Sequence, residues 1–477
     1  MKFNFKQNLL LIASIFGIAA TANKITITNK NNPSINNNID NNLIKRKNFT
    51  KNIIASPQGD VNLNTKKSNT WLNHSEFTPT GIFVLNNITE LNIFCPKTED
   101  NVYAVIGQWG SYKSLGGEEI TPIKISLKPN QITKITNWSS LTNGMLYISN
   151  QSEKNYLEVL ITVKDGIKIP TFNVNETTPQ AFNEQLNLGW TPFVELVGKN
   201  VFATLQYDLA YDLWSNNLAA INKINQVINM WDCSYEISNH VSGLSLNGSG
   251  LTKKYHNMIH ITNPDHSTAW NVYAYATNYR ITFPYDSGAG FHLFTNPIVD
   301  QWGLWHEIGH TYQNLDYMFD GFQEVTVNIN AFFIQEEFGF RNRMFERSET
   351  IWAIKNYINS TNPNKYIEEL DVWGRLGLFL QLHMGYGKEF FPKLNQEYRR
   401  LSSLEKPKNN NEKYQTFIKL TSKIVNRNLM PFFKKWGVDI DFETKQIIQK
   451  YPLLRTDIWN NIFDNHIEEK TIIDYKL

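Results

Sequence analysis

Apolar and polar positions alternate through much of Trp71 to Asp165. Leu157, Val159, Ile161 and Val163 share one face across polar neighbours, the period-two pattern of a half-buried strand. Ile82 to Ile93, Val102 to Ile106 and Gly144 to Ile148 give further strands, with turns at Gly116-Gly117 and Pro129-Asn130. Short strands at this spacing predict a β-sandwich over residues 71–165. From Pro170 the period changes. Leu213, Ile221, Ile224 and Ile228 recur at helical spacing, while Tyr255 to Ile261 and Ala274 to Phe283 read as strands. After Phe340 the pattern is mostly helical, broken at Asn362-Pro363 and Lys406 to Lys413. The expected class is a multidomain α+β chain: the sandwich, an α/β domain over 166–345 and a mostly helical region over 346–477.

The amino terminus predicts a secretory signal over residues 1–22. Lys2 and Lys6 precede an apolar run, Leu9 to Ala20, and Ala20-Thr21-Ala22 is a small-residue cleavage site. The run is shorter than the roughly 20 residues that span a bilayer, and no other stretch is apolar enough to do so. The expected location is extracellular, with surface retention by an uncleaved anchor as the alternative. Residues 23–70 are rich in asparagine and lysine and poor in large apolar groups, and so read as a flexible linker. Cys95 and Cys233 are the only cysteines, too few for a disulfide framework or a four-thiolate metal site. The 46 basic side chains nearly balance the 44 acidic ones, which gives no general attraction to nucleic acid.

The chemistry is concentrated in His306-Glu307-Ile308-Gly309-His310. Histidines four residues apart lie on one helical face, where both imidazoles can reach one ion, and Glu307 is placed to take a proton from water on it. Asn296 and Pro297 suggest the helix start, and Ile298, Trp302, Trp305 and Tyr312 its apolar face. Gly309 is a poor helix former, so its place between the histidines suggests close packing there. Gln313 continues the histidine face. The competing reading is a solvated helix with two surface histidines.

A catalytic zinc usually takes three protein ligands and keeps one open position. Glu324 opens a second expected helix, about Phe322 to Phe338, that would run back beside the first after a turn containing Asp316, Asp320 and Gly321. It would face the histidines, with Asn328 one turn below. Glu336 and Glu337 are competing ligands, but they lie turns of ~5.4 Å further along. A first-turn glutamate favoured by the helix dipole is the bland alternative for Glu324.

His306-Glu-x-Gly-His310-x-x-Gln313 followed by Glu324-Val-x-x-Asn328 resembles the signature of the enhancin and mucin-degrading zinc metallopeptidases, peptidase family M-sixty. Thr80-Gly81-Ile82-Phe83, Gly144 to Ile148, Leu376 to Leu382 with Phe390-Phe391, and Pro431 to Gly437 are similar to other stretches of that family, so the resemblance covers roughly Thr80 to Val438. It implies a zincin-like catalytic domain with His306, His310 and Glu324 on one zinc ion, Glu307 as base, and O-glycosylated, mucin-type proteins as substrates. Gln313 and Asn328 are candidates to orient the ligands. Tyr273, Tyr275, Tyr279, His256 and His292 are candidates to stabilise the oxyanion, with packing as the alternative for each. The strand before the zinc helix is an expected edge for substrate backbone. Two other functions stay open: a glycan-binding surface protein with a vestigial peptidase domain, and a zinc endopeptidase for unglycosylated protein.

Overall fold

A computed structural model describes residues 46–138, 143–174, 176–265, 273–295 and 300–463. The expected signal segment, 1–22, lies outside them. Two compact units divide the chain: Met1–Val61, His74–Asp232 and Tyr255–Val299 form one, while Asn62–Asn73, Cys233–Lys254 and Asp300–Leu477 form the other. These are interleaved, unlike the consecutive blocks expected at 71–165, 166–345 and 346–477. One strand, Leu157–Lys168, crosses the expected boundary at 165.

The first unit contains β1 (Lys47–Ala55), β2 (Thr78–Val84), β3 (Glu90–Cys95), β4 (Val102–Ile106), the short pair β5 (Gly110–Ser111) and β6 (Glu119–Ile120), β7 (Ile123–Ser126), β8 (Gln131–Ile135), β9 (Gly144–Asn150) and β10 (Leu157–Lys168). Among the described residues, eight of these form one sheet in the order β7-β4-β9-β2-β10-β3-β8, with β1 also on β10. The expected pair of sheets is thus joined into a single curled one. β10 makes the join: its Leu160 to Lys164 pair with β3, and its Ile167 and Lys168 pair with β2. Ile82 and Val84, Ala104 and Ile106, Leu146 and Ile148 turn one face into a core shared with Leu91, Ile93, Val159, Ile161 and Val163.

β1 corrects the linker expectation for Lys47–Ala55, while residues 23–45 lie outside the described residues. Phe49 pairs with Val163, Ile53 with Val159 and Ala55 with Leu157. Ile53 and Ala55 are buried in the sheet core, with Phe49 packed at its side. Lys47 and Lys51 share the parity of Phe49, Ile53 and Ala55, and these polar residues on the inward face hide the period-two pattern. The ammonium of Lys51 donates to the Thr80 carbonyl at 2.7 Å.

The other faces of β2, β4 and β9 supply Phe83, Val105, Met145 and Tyr147 to a second cluster with Phe193 and Phe202. Those two belong to a six-stranded sheet: β11 (Thr171–Asn173), β12 (Phe193–Val197), β13 (Val201–Gln206), β14 (Ile259–Thr262), β16 (Arg280–Thr282) and β15 (Tyr275–Thr277), in that spatial order. The single strand expected over Ala274 to Phe283 is the β15–β16 hairpin. Tyr279 turns it with φ +76°, and its ring stacks on Trp109 at 5.6 Å. β15 ends the sheet order. Helices α1 (Val61–Ser68), α2 (Pro179–Asn187), α3 (Tyr207–Trp214), α4 (Leu218–Ile221), α5 (Ile224–Val241) and α6 (Ala289–Thr295) complete the chain up to residue 295.

The second unit is mainly helical: α7 (Trp302–Tyr312), α8 (Gln323–Glu337), α9 (Ser348–Asn359), α10 (Val372–Tyr386), α11 (Phe390–Arg400), α12 (Asn410–Val425), α13 (Met430–Lys435) and α14 (Phe442–Ile448). α10 is buried around nearly its whole circumference, as a central helix must be. Asp371 caps it by accepting from the Gly374 amide at 2.6 Å. Gln381 accepts from the Trp436 indole at 2.9 Å and donates to the Trp459 carbonyl at 2.7 Å, so its amide is satisfied inside the core.

Glu195 on β12 is fully buried, and burial pushes its carboxyl up to about 7 against the pull of the Gly81 amide and the Lys51 ammonium. The folded chain therefore holds this proton after the unfolded chain has released it. Stability from this group is present below the ordinary carboxyl value and is lost as pH rises from about 4.5 to about 7. Glu195→Gln should flatten the pH dependence of the melting temperature in that window. The difference is at most about 3–4 kcal/mol, at ~1.4 kcal/mol per pKa unit. An unchanged melting-temperature profile would locate the titration elsewhere.

Candidate metal centre

α7 begins later than its sequence suggests. Asn296 and Pro297 lie outside the described residues, while Asp300 and Gln301 are not helical, and Trp302 is the first helical residue. Asp300 explains the start: one carboxylate oxygen accepts from the Trp302 amide at 3.0 Å. Its other oxygen accepts from Gln335 at 2.7 Å and Arg343 at 3.1 Å. The second helix runs Gln323–Glu337, within one residue of expectation at each end.

The two helices approach closely at Gly309. A β-carbon there would stand 2.5 Å from the Val327 carbonyl oxygen, which is backbone and cannot swing aside. The helix penalty of glycine, about 1 kcal/mol, is the cost of that approach.

The approach brings His306, His310 and Glu324 together, with one donor atom from each lying within 4.8 Å of the others. Glu324 Oε2 is 3.1 Å from His306 Nε2 and 3.5 Å from His310 Nε2. Both imidazoles are held from behind. Asn328 Oδ1 stands 2.7 Å from His306 Nδ1, and Gln313 Oε1 stands 2.7 Å from His310 Nδ1. The amides cannot turn round, because their nitrogens are committed. Asn328 Nδ2 donates to the Glu324 carbonyl at 2.8 Å. Gln313 Nε2 donates to the Gln323 carbonyl at 2.6 Å and to Thr326 Oγ1 at 2.7 Å. Each Nδ1 therefore carries a ring proton, and each Nε2 faces the Glu324 carboxylate, protonated as its ion-pair partner or, in the neutral imidazole, offering a lone pair.

Two Nε2 atoms and a carboxylate oxygen thus converge in a buried space. Two imidazoles with one carboxylate are a donor set that suits a divalent metal. Without an ion, the imidazoles and the carboxylate stabilise one another as an ion pair. Burial pushes the Glu324 carboxyl up, but His310 and His306 outweigh it and hold it well below the usual carboxylate range. Burial pushes His310 down, but Glu324 and Gln313 outweigh that and leave it raised. Glu307, beside His306, is also buried.

The competing carboxylates are engaged elsewhere. Glu336 accepts from His383 Nε2 at 2.8 Å, and Glu337 pairs with Lys388. Tyr273, Tyr275, Tyr279 and His256 belong to the first unit. Tyr275 pairs with Thr282 in the β15–β16 hairpin, and His256 packs beside Tyr156. His292 is in α6, and its side chain lies outside the described residues. Sequence reasoning missed Thr326, which fixes the Gln313 amide, and Trp71, whose ring lies 5.9 Å from that of His310. Neither has a sequence signal, since each acts through a fold-dependent contact.

Residues 165–437, more than half the chain, match the family model described as peptidase M60, enhancin and enhancin-like. The chain belongs to the M60 family. The match ends one residue short of the expected Val438 and begins well after Thr80. A mutant of a functionally unknown conserved protein from Bacillus anthracis has the same fold, with TM-score 0.78 at 30% identity over 90% of this chain and 84% of that one. The M60 catalytic domain of Clostridium perfringens ZmpC, solved in complex with the sialyl T antigen, gives TM-score 0.69 at 16% identity over 87% of this chain and 84% of that one. The rat TRPM8 channel-associated factor 3 is 22% identical over 410 residues, 82% of this chain. The chain spans only 41% of that relative's length.

In this M60 chain, Gly309→Ala should force α7 away from α8. Overpacking typically costs about 1–3 kcal/mol. The expected outcome is a lower melting temperature together with weaker metal uptake, measured by calorimetry and metal analysis. Wild-type values for both would show that the helices tolerate the added methyl.

Proposed function

We propose that this chain is a secreted, zinc-dependent endopeptidase that cleaves O-glycosylated, mucin-type proteins. The observation that carries the reading is the convergence of both Nε2 atoms on the Glu324 carboxylate, with each imidazole fixed by an amide behind it. His306, His310 and Glu324 would hold the ion. Bound zinc supplies a Lewis acid and makes a water nucleophile available near neutral pH.

The chain's own residues do the rest. Glu307 accepts the proton of the attacking water and passes it to the leaving amine. Its burial places that carboxylate where water is scarce, which strengthens its interactions. Asn328 and Gln313 keep the ring protons on Nδ1, so neither imidazole competes with Glu307 for the proton in transit. The alternative of a glycan-binding protein with a vestigial peptidase domain gives no reason for Glu307 or for the two orienting amides.

Mutation separates the roles. His310→Ala should lose the metal, and equal zinc in that variant and the wild type would defeat the ligand assignment. Glu307→Gln should keep the metal and lose roughly 10²–10⁴-fold in turnover. Near-normal turnover would remove Glu307 from the chemistry and favour the binding-protein reading.

The substrate class is supported by the relative that binds the sialyl T antigen. Glycan contacts would orient the peptide, so stripping the sugar should remove binding energy used at the scissile bond. Mucin and its enzymatically deglycosylated form, each digested with and without chelator, test this. Equal cleavage of both would make the enzyme a general zinc endopeptidase. Extracellular location is part of the same proposal and rests on the apolar run at Leu9 to Ala20. Among the described residues, no helix is long and apolar enough to cross a membrane.

A further inference from the structure

The segment Asn62–Asn73 precedes the stretch that matches the family, yet it belongs to the same compact unit as α7 and α8. Its composition is that of a linker, and its structure is not. α1 ends at Asn69, which adopts φ +54°. The Asn69 amide donates to the Lys66 carbonyl and the Thr70 amide to the Thr65 carbonyl, both at 3.2 Å. This is the left-handed helix ending that glycine or asparagine fills.

The Asn69 side chain then ties the turn down. Its Nδ2 donates to Asn314 Oδ1 at 3.1 Å and to Asp316 Oδ2 at 2.8 Å. Its Oδ1 accepts from Lys406, whose ammonium also pairs with Asp316 at 3.0 Å. The Ser68 carbonyl accepts from Arg399 at 3.3 Å. Asn314 directly follows Gln313, the residue that holds His310. Two residues beyond this anchor, the half-buried ring of Trp71 meets His310 edge to face, with an interplanar angle of 71°.

We infer that Trp71 is a positioning residue of the metal centre, holding the His310 imidazole in the orientation that a metal requires. The inference rests on the zinc-site reading above. His310 is the more exposed of the two histidines, its side chain 10% exposed against 3% for His306. Core packing therefore restrains it less. Gln313 bounds its ring at Nδ1, Glu324 lies at Nε2, and the His306 ring stands across it at 4.8 Å. Trp71 adds a further wall, so the ring cannot swing out without displacing an indole on an anchored turn. Holding the ring in place before the ion arrives reduces the ordering that binding must impose. The N-terminal segment thereby acts on the site through the Trp71–His310 contact.

The test uses the full chain and cobalt(II) as a spectroscopic stand-in for zinc. Trp71→Leu fills space but lacks the aromatic edge, whereas Trp71→Phe keeps it. Chelator competition should show affinity falling about 10-fold in Trp71→Leu, the low end for residues that orient ligands. Trp71→Phe should stay within about 3-fold of wild type on the same scale. The cobalt absorption bands should shift in the first variant and recover in the second. Asn69→Ala loosens the tether without opening a cavity beside the site and should fall between the two. It carries the test if Trp71→Leu does not fold. A lower melting temperature of the metal-free variants, with affinity and cobalt bands unchanged, would reduce Trp71 to a packing residue and overturn the inference. So would equal losses in the Phe and Leu variants. A wild-type chain that takes up no cobalt defeats the zinc reading itself, an outcome distinct from a wild type and variants that all bind alike.

Discussion

The candidate metal centre depends on how closely two helices approach at one glycine. α7 carries both histidines and Gln313 supports one of them from just past its end, while α8 carries Glu324, Asn328 and Thr326. No residue of one helix finds its partner unless the axes come near. Gly309 permits this because the Val327 carbonyl occupies the place where any side chain would begin. The remaining distances are consequences: 2.7 Å from each Nδ1 to its amide oxygen, and 3.1 and 3.5 Å from the two Nε2 atoms to Glu324. One backbone approach therefore sets both the ligand geometry and the tautomers.

That dependence explains why the site was legible in the sequence while much of its setting was not. His306, His310 and Gln313 lie at helical spacings of four and three, and Glu324 and Asn328 at a spacing of four, so local periodicity alone places each set on one face. The short connection between the helices then makes the faces meet. β1 and α1 are different. Asparagine and lysine dominate both, and their order comes from partners far along the chain: β10 for Phe49, Ile53 and Ala55, and Asn314, Asp316, Arg399 and Lys406 for the turn after α1. Composition measures how much apolar surface a segment can bury by itself. It does not register an asparagine that fits a left-handed turn and reaches two side chains from there.

The same contrast accounts for the errors at element ends. Asn296 and Pro297, a good local signal, place the start of α7 outside the described residues. The helix begins instead where Asp300 caps Trp302, and Asp300 is itself held by Gln335 on α8 and by Arg343 beyond it. A tertiary contact outweighed a local preference. The hairpin at Asn278-Tyr279 shows a second case. A tyrosine with positive φ is locally unfavourable, and stacking of its ring on Trp109 offsets that strain.

The groups behind the histidines bear on the chemistry. Metal-bound imidazoles are commonly backed by carboxylates, carbonyls or water. Here both are backed by neutral side-chain amides whose nitrogens are tied to backbone carbonyls of α8. A carboxylate in that place would add negative charge and make the imidazole a stronger donor. An amide fixes the same tautomer without that charge. Glu324 is then the only anion among the three ligands, and on the zinc reading more of the ion's Lewis acidity remains for the substrate carbonyl. The arrangement also separates two jobs that carboxylates might otherwise share. On the zinc reading, amides orient and Glu307 handles the proton. Because Asn328 and Gln313 do not titrate, the orientation that turns both Nε2 atoms toward Glu324 does not depend on a second carboxylate staying ionised.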